Sequence, residues 1–173
     1  MSTSLLYHAF RLSGIEYQST SYIGDTVILN ARMNDKFTKC PSCQCRKTSF
    51  KGHKNRTFWM PPIGRSRCSL NLLLHRLKCK SCGNIWWPQL PFMIGMHRYT
   101  RSFALTALDL LRFGTIRSVA CYLGVGWDLI KEIHKTKLSS LYRTISLRKV
   151  KYLGIDEFSL RKGHNYMTIF TDL

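Results

Sequence analysis

"CSLNLLLHRLKCKSC" (Cys68–Cys82) is the stretch that decides the fold. Cys68, Leu70, Leu72 and Leu74 alternate with Ser69, Asn71, Leu73 and His75, the period of two expected of a strand with one buried face. The strand runs into Cys79-Lys80-Ser81-Cys82, a Cys-x-x-Cys knuckle. Such a tight turn points two thiolates at one tetrahedral centre, and its backbone N–H groups stabilise charge on sulfur. A second knuckle, Cys40-Pro41-Ser42-Cys43, stands upstream. Two knuckles supply four ligands and close the coordination shell. A structural zinc ion is therefore expected on Cys40, Cys43, Cys79 and Cys82, and not an open catalytic one; buried or redox-active thiols are the alternative.

Thirty-five residues separate Cys43 from Cys79, more than the usual spacing of about 15–20. A β-hairpin or three-stranded insert, with "NLLLHRLKC" (Asn71–Cys79) returning to the second knuckle, accounts for the excess. Cys45 places a third thiol in "CPSCQC" and is an alternative to Cys43, although Cys-x-Cys makes a poorer turn. Cys68 and Cys121 read as small core residues. His53 and His75 lack a paired ligand spacing and read as structural or DNA-facing.

Lys and Arg number 27 against 9 Asp and Glu, a net charge of +18 on 173 residues. Such an excess repels itself unless a polyanion neutralises it, and nucleic acid is the leading partner. A solvated basic protein is the alternative. Between the knuckles, "RKTSFKGHKNRTFWMPPIGRSR" (Arg46–Arg67) interleaves cations with Phe50, Phe58 and Trp59. The charges suit phosphates, while Phe58 and Trp59 suit a small core.

Hydrophobic residues make up 45% of the chain, enough for packed cores. No run of eighteen apolar residues is present, so no transmembrane helix and no membrane partner are expected. The N-terminal residues lack the charged start, continuous apolar core and cleavage site of a signal peptide. A reducing, cytoplasmic (nucleoid-associated) location is expected, where cysteines serve metal before disulfides. "TSYIGDTVILNARMNDKFTKC" (Thr20–Cys40) reads as one strand from Tyr22 to Ala31 and a polar turn at Asn34 and Asp35. "WWPQLPFMIG" (Trp86–Gly95) has two prolines and no period, and reads as an extended linker.

From Thr100 the period becomes helical. Phe103, Ala107, Leu110 and Leu111 share a face, with Thr100 as N-cap and Gly114 as stop. Ile116, Val119, Ala120 and Leu123 continue to Gly124. Leu129, Ile130, Ile133 and Leu138 resume after Gly126. Helix, short glycine turn and helix make a helix-turn-helix pattern, with Ala120 allowing close crossing and Val125 plugging the junction. The second helix would read the major groove through Trp127, Asp128, Lys131 and Lys135, with Arg101 and Arg117 on phosphates.

"YLGIDEFSLRKGHNYMTIFTDL" (Tyr152–Leu173) reads as a strand carrying Asp156 and Glu157, a basic turn at Arg161 to His164, and an antiparallel strand from Tyr166 to Phe170. Asp172 reads as a turn residue.

Taken together, "CPSC", "RLKCKSC", "SVACYLGVGWDLIKEIHK" and this last segment resemble the ISL-three family of bacterial insertion-sequence transposases. The resemblance covers essentially the whole chain and is most specific in the IDEF strand and K-G-H-x-Y turn. It implies an N-terminal zinc module, a helix-turn-helix and an RNase H-like DDE catalytic domain, with Asp156 as the first acid and Mg²⁺ serving only the intact catalytic domain.

The fold class expected is a multi-module α+β chain. A leader with one strand (1–36) precedes a β-rich zinc-binding module (37–95), a helix-turn-helix module (96–147) and the first two strands of an incomplete RNase H-like domain (148–173). The second Asp and the Glu of the triad are missing. The expected function is recognition of double-stranded terminal inverted-repeat DNA in DNA transposition without catalysis by this chain alone. A repressor of transposition or transcription and one half of a split transposase are the alternatives. A homo-oligomer or intact transposase is the expected protein partner.

Overall fold

The computed structural model describes residues 5–34, 38–144, 150–159 and 166–173. It is a mixed α/β chain with a sheet-rich body and a few helices, dividing into two compact units, Met1–His134 and Lys135–Leu173.

The first unit opens with α1 (Leu5–Phe10), whose Leu6 and Phe10 pack against the sheet core. The strands β1 (Ile15–Ile23) and β2 (Thr26–Met33) come next as an antiparallel hairpin. Here the sequence expectation of one strand from Tyr22 to Ala31 is corrected. Gly24, at φ +53, turns the chain inside an otherwise unbroken β run. A long second hairpin joins β3 (Thr48–Ile63) to β4 (Ser66–Cys79). β4 also pairs in parallel with β2 and antiparallel with the short β5 (Ile85–Trp86), giving the order β1-β2-β4-β3. Strands from residues 1–36 and 37–95, read separately in the sequence, therefore share one sheet.

The alternation in Cys68–Leu74 holds: Cys68, Leu70, Leu72 and Leu74 are buried beside Phe58, Met60, Leu29 and Ala31. Burial on β4 then moves to Leu77 and Cys79, where β3 slips register between Phe50 and His53. Gly52, at φ +126, supplies the conformation for that bulge. The opposite face is polar. Asn30 Nδ2 donates to Ser19 Oγ (3.3 Å) and Ser21 Oγ (3.2 Å), and Asn71 Nδ2 donates to Asn30 Oδ1 (3.2 Å). These bonds tie three strands together on the face away from the core.

The segment read as a linker is part of the core: Leu90, Phe92 and Met93 are buried against the sheet, and Phe92 meets Phe58 edge-on. Arg56 fastens the adjoining Met96–Arg98 stretch, its Nη2 donating to Met96 O (2.9 Å) and His97 O (3.1 Å). Trp59 N donates to Arg98 O at 2.8 Å, and Thr100 N donates back to Trp59 O at 3.0 Å. The edge of β3 thus fixes the start of the helices.

Those helices are α2 (Arg101–Leu110), α3 (Ile116–Leu123) and α4 (Trp127–Leu141). Thr100 caps α2 by accepting from Phe103 N, and Thr115 caps α3 by accepting from Ser118 N. Phe103, Ala107, Val119, Ala120, Leu123, Ile130 and Ile133 form a second core, against which Trp59 and Val125 pack. Cys121 does not join it: one position past Ala120, its side chain falls on the exposed face of α3.

In the second unit, β6 (Leu153–Ser159) and β7 (Tyr166–Asp172) form an antiparallel hairpin. Asp172 is the last strand residue, opposite Leu153, and not a turn residue. The expected basic turn at Arg161 to His164 lies outside the described residues, as does Asp35 of the expected polar turn.

Candidate metal centre and nucleic-acid interface

The two knuckles are built alike. Gln44 N donates to Cys40 O (2.9 Å) and Gly83 N to Cys79 O (3.1 Å). Cys40 N donates to Cys45 O (3.0 Å) and Cys79 N to Asn84 O (2.8 Å). The residue after each second cysteine is left-handed, Gln44 at φ 59 and Gly83 at φ 74. β4 delivers Cys79 into its knuckle, and Thr48 of β3 pairs with that same residue, so the sheet brings the two knuckles together.

The sulfurs of Cys40, Cys43, Cys79 and Cys82 all lie within 4.8 Å of one another. Cys40 Sγ is 3.6 Å from Cys82 Sγ, and Cys43 Sγ is 3.5 Å from Cys79 Sγ. A disulfide would bring sulfurs to about 2.05 Å, and these cysteines are free. A tetrahedral zinc with Zn–S bonds of about 2.3 Å sets its sulfurs about 3.8 Å apart. The quartet could hold a metal ion and is compatible with structural zinc.

Electrostatics point the same way. Burial raises the Cys40 thiol pKa, but the Cys43 and Ser42 N–H groups and the Cys82 thiol outweigh it and bring it down to about 6. The Cys45 N–H lowers Cys43, yet the Cys82 and Cys79 thiols and burial push it up to about 12. Cys79 is lowered, chiefly by the Cys82 N–H against its own burial. Cys82 is raised: the Asn84 N–H lowers it, but burial and the Cys40 and Cys79 thiols prevail. Ionising all four thiols this close together is opposed by their mutual repulsion, which a divalent cation removes.

Cys45, the alternative to Cys43 in the sequence, stands beside the quartet and outside it. Its sulfur accepts from Ser81 Oγ (3.1 Å) and Lys47 N (3.3 Å), linking one knuckle to the other.

The helical candidates are exposed. Arg101 and Arg117 lie in the first turns of α2 and α3. Trp127, Asp128, Lys131 and Lys135 lie along one face of α4, with Lys131 Nζ 5.2 Å from the Trp127 ring centroid. The turn before α4 is fixed by backbone bonds. Gly124 is left-handed (φ 66, ψ 37), Val125 N donates to Ala120 O at 3.0 Å, and Gly124 N donates to Cys121 O at 3.2 Å. Arg67, from the start of β4, lies against Gly124. With Arg65, Trp59 and Tyr122 it lines a recess of about 220 Å³.

Not every cation between the knuckles faces outward for phosphate. Lys54 and Arg56 sit opposite Leu74 and Leu72 on the core-facing side of β3. Lys54 Nζ lies 3.9 Å over the Trp87 ring and Arg56 4.8 Å over Phe58. Both are half-buried and cover the edge of the core. Only their period of two with Phe58 and Met60 could have signalled this. His53 and His75 are cross-strand neighbours with ring centroids 6.4 Å apart.

Asp156 is exposed on β6, opposite Ile169, its Oδ1 accepting from Glu157 N at 2.8 Å. Among the described residues it joins no group of three or more carboxylates, cysteines or histidines close enough to hold a metal ion; the cysteine quartet is the cluster there that could.

No protein-family model matches the chain, and no solved structure matches it. Among curated proteins, the transposase for insertion sequence element IS1001 of Bordetella parapertussis is 29% identical over 149 residues. The match covers 86% of this chain and 37% of that protein, so the chain spans little more than a third of its relative's length. No described helix is long and apolar enough to cross a membrane.

Proposed function

We propose that this chain is the DNA-binding portion of an insertion-sequence transposase and that it grips terminal inverted-repeat DNA with α4 in the major groove. The observation that carries the reading is the exposed aromatic and cationic face of α4 behind a rigidly capped turn, on a chain of net charge +18. The likeness to an insertion-sequence transposase supports the same class. Trp127, Asp128 and Lys131 stand where the early exposed residues of a recognition helix meet base edges, and Lys135 is one turn further on. Arg101 and Arg117 hold phosphates. Zinc is the proposed ion of the cysteine quartet, and membership of the ISL-three family rests on the motifs that carry that resemblance. Asp156 is proposed as the first acid of the DDE set. A second copy or an intact transposase is the proposed protein partner, in the cytoplasm at the nucleoid.

Displacement at a phosphodiester needs metals about 4 Å apart held by several carboxylates. Asp156 gathers no such set among the described residues. Binding without cutting is therefore expected of this chain, and it favours a regulatory role as the second reading. The test is binding to a duplex of the element's terminal repeat across a salt series. Affinity should fall steeply with salt. Arg101→Ala and Arg117→Ala should each lower the slope by about one, as loss of a phosphate contact does, and Lys131→Ala and Lys135→Ala should weaken binding to the repeat. Affinity indifferent to salt and to these residues overturns the proposal. Nicking in Mg²⁺ that is abolished by Asp156→Ala overturns the claim of inactivity.

A further inference from the structure

Beside the cysteine quartet lies an open groove of about 660 Å³. Lys39 and Pro41 flank Cys40 on one wall with Arg46 beyond them, while Trp86, Trp87 and Gln89, which come after the second knuckle, form the other. Among the described residues, no carboxylate lines it. Both indoles pack partly against the sheet core and are half-exposed, and Lys54, which lines a separate recess, covers one face of Trp87. The two walls come from distant parts of the chain and are held together by the two knuckles.

The chemistry of this lining selects its occupant. Lysine and arginine suit phosphate, and a half-exposed indole suits a flat π-system. A fully stacked duplex offers phosphates but no free base face; a strand with a base out of the stack offers both. We infer that the groove takes an unpaired nucleotide of a DNA strand, its base against Trp86 beside the Lys54-covered Trp87 and its phosphates on Lys39 and Arg46. The Gln89 amide can pair with a base edge. This inference rests on the DNA-binding reading and adds to it a second, structure-selective site, for a frayed or single-stranded stretch beside the duplex that α4 reads.

The experiment uses the full zinc-loaded chain and three labelled probes: a blunt terminal-repeat duplex, the same duplex with a short single-stranded tail, and that tail made abasic. The tailed duplex should bind about tenfold tighter than the blunt one, and the abasic tail should lose most of the gain. Trp86→Ala should erase the tail's advantage while leaving blunt-duplex affinity within about twofold. The double variant Lys39→Ala/Arg46→Ala, at exposed positions that do not hold the fold, should do the same and decides the matter should Trp86→Ala unfold.

Equal affinity for tailed and blunt probes overturns the inference, as does an advantage that survives these variants or persists with an abasic tail. Capture of an acidic, proline-rich peptide in place of the tailed probe also overturns it. Failure of the α4 reading looks different: blunt-duplex binding indifferent to Lys131→Ala and Lys135→Ala, with the tail preference intact. If no probe binds, both fall together.

Discussion

The guanidinium of Arg67 lies against the α-carbon of Gly124, so that a β-carbon there would overlap its Nε and Cζ. One residue is second in the central strand; the other caps the end of the helix before the proposed recognition helix. Gly124 also stands at φ +66. Gly124→Ala should destabilise by about 1–2 kcal/mol from the left-handed backbone alone, and by more because Arg67 must move. Adding Arg67→Ala should recover only the steric share. Urea denaturation of the single and double variants separates the two parts.

Removal of metal should be costly. Structural zinc contributes on the order of 10 kcal/mol of apparent binding free energy at neutral pH, comparable with the whole stability of a domain. A strong chelator should therefore unfold the knuckle end of the sheet, seen as lost amide protection around Cys40–Cys45 and Cys79–Asn84. Because protons compete for thiolates, chelation should be easier as pH falls.

Cys43 and Cys45 should part company. Native mass spectrometry should find zinc retained in Cys45→Ser and lost or weakened in Cys43→Ser, since Cys43 belongs to the quartet and Cys45 does not. Equal loss in both would contradict the geometry.

Thr100→Ala should cost about 1–2 kcal/mol, at the upper end for a cap. Thr100 is fully buried and its hydroxyl both caps α2 and donates to Trp59 O at 3.3 Å. Thr115→Ala removes a similar but exposed cap and should cost less. Thermal melting compares the two.

The Thr100 cap is legible in the sequence, as are the alternation through Leu70–Leu74 and the four thiols, because each is a local signal of spacing and residue type; the Thr115 cap is not read from it. The turn at Gly24-Asp25 is hidden by strong β-formers on both sides. The parallel pairing of β2 with β4 leaves no local mark, since strands about forty residues apart meet through tertiary packing alone. Prolines disguise the burial of Leu90, Phe92 and Met93. Cys121 differs from the expectation by one helical position, which is enough to turn a side chain from core to solvent.

Adjacent leucines on β4 offer a direct check of that burial pattern. Leu72 is fully buried in the core, whereas Leu73 faces the other side of the sheet and is half-exposed. Leu72→Ala should cost about 2–5 kcal/mol. Leu73→Ala should cost less, measured by the same denaturation.

β4 is hydrogen-bonded to β2, β3 and β5, yet ribosomes synthesise it after two of those neighbours. Until residue 79 emerges, β1 and β2 form an isolated hairpin, marginal in water by itself. The arrival of Cys79 and Cys82 then completes the cysteine quartet just as β4 becomes free to join. With a metal ion in the quartet, its capture and the closure of the sheet would coincide in a single event of biosynthesis, and metal starvation would strand nascent chains with their strand edges bare.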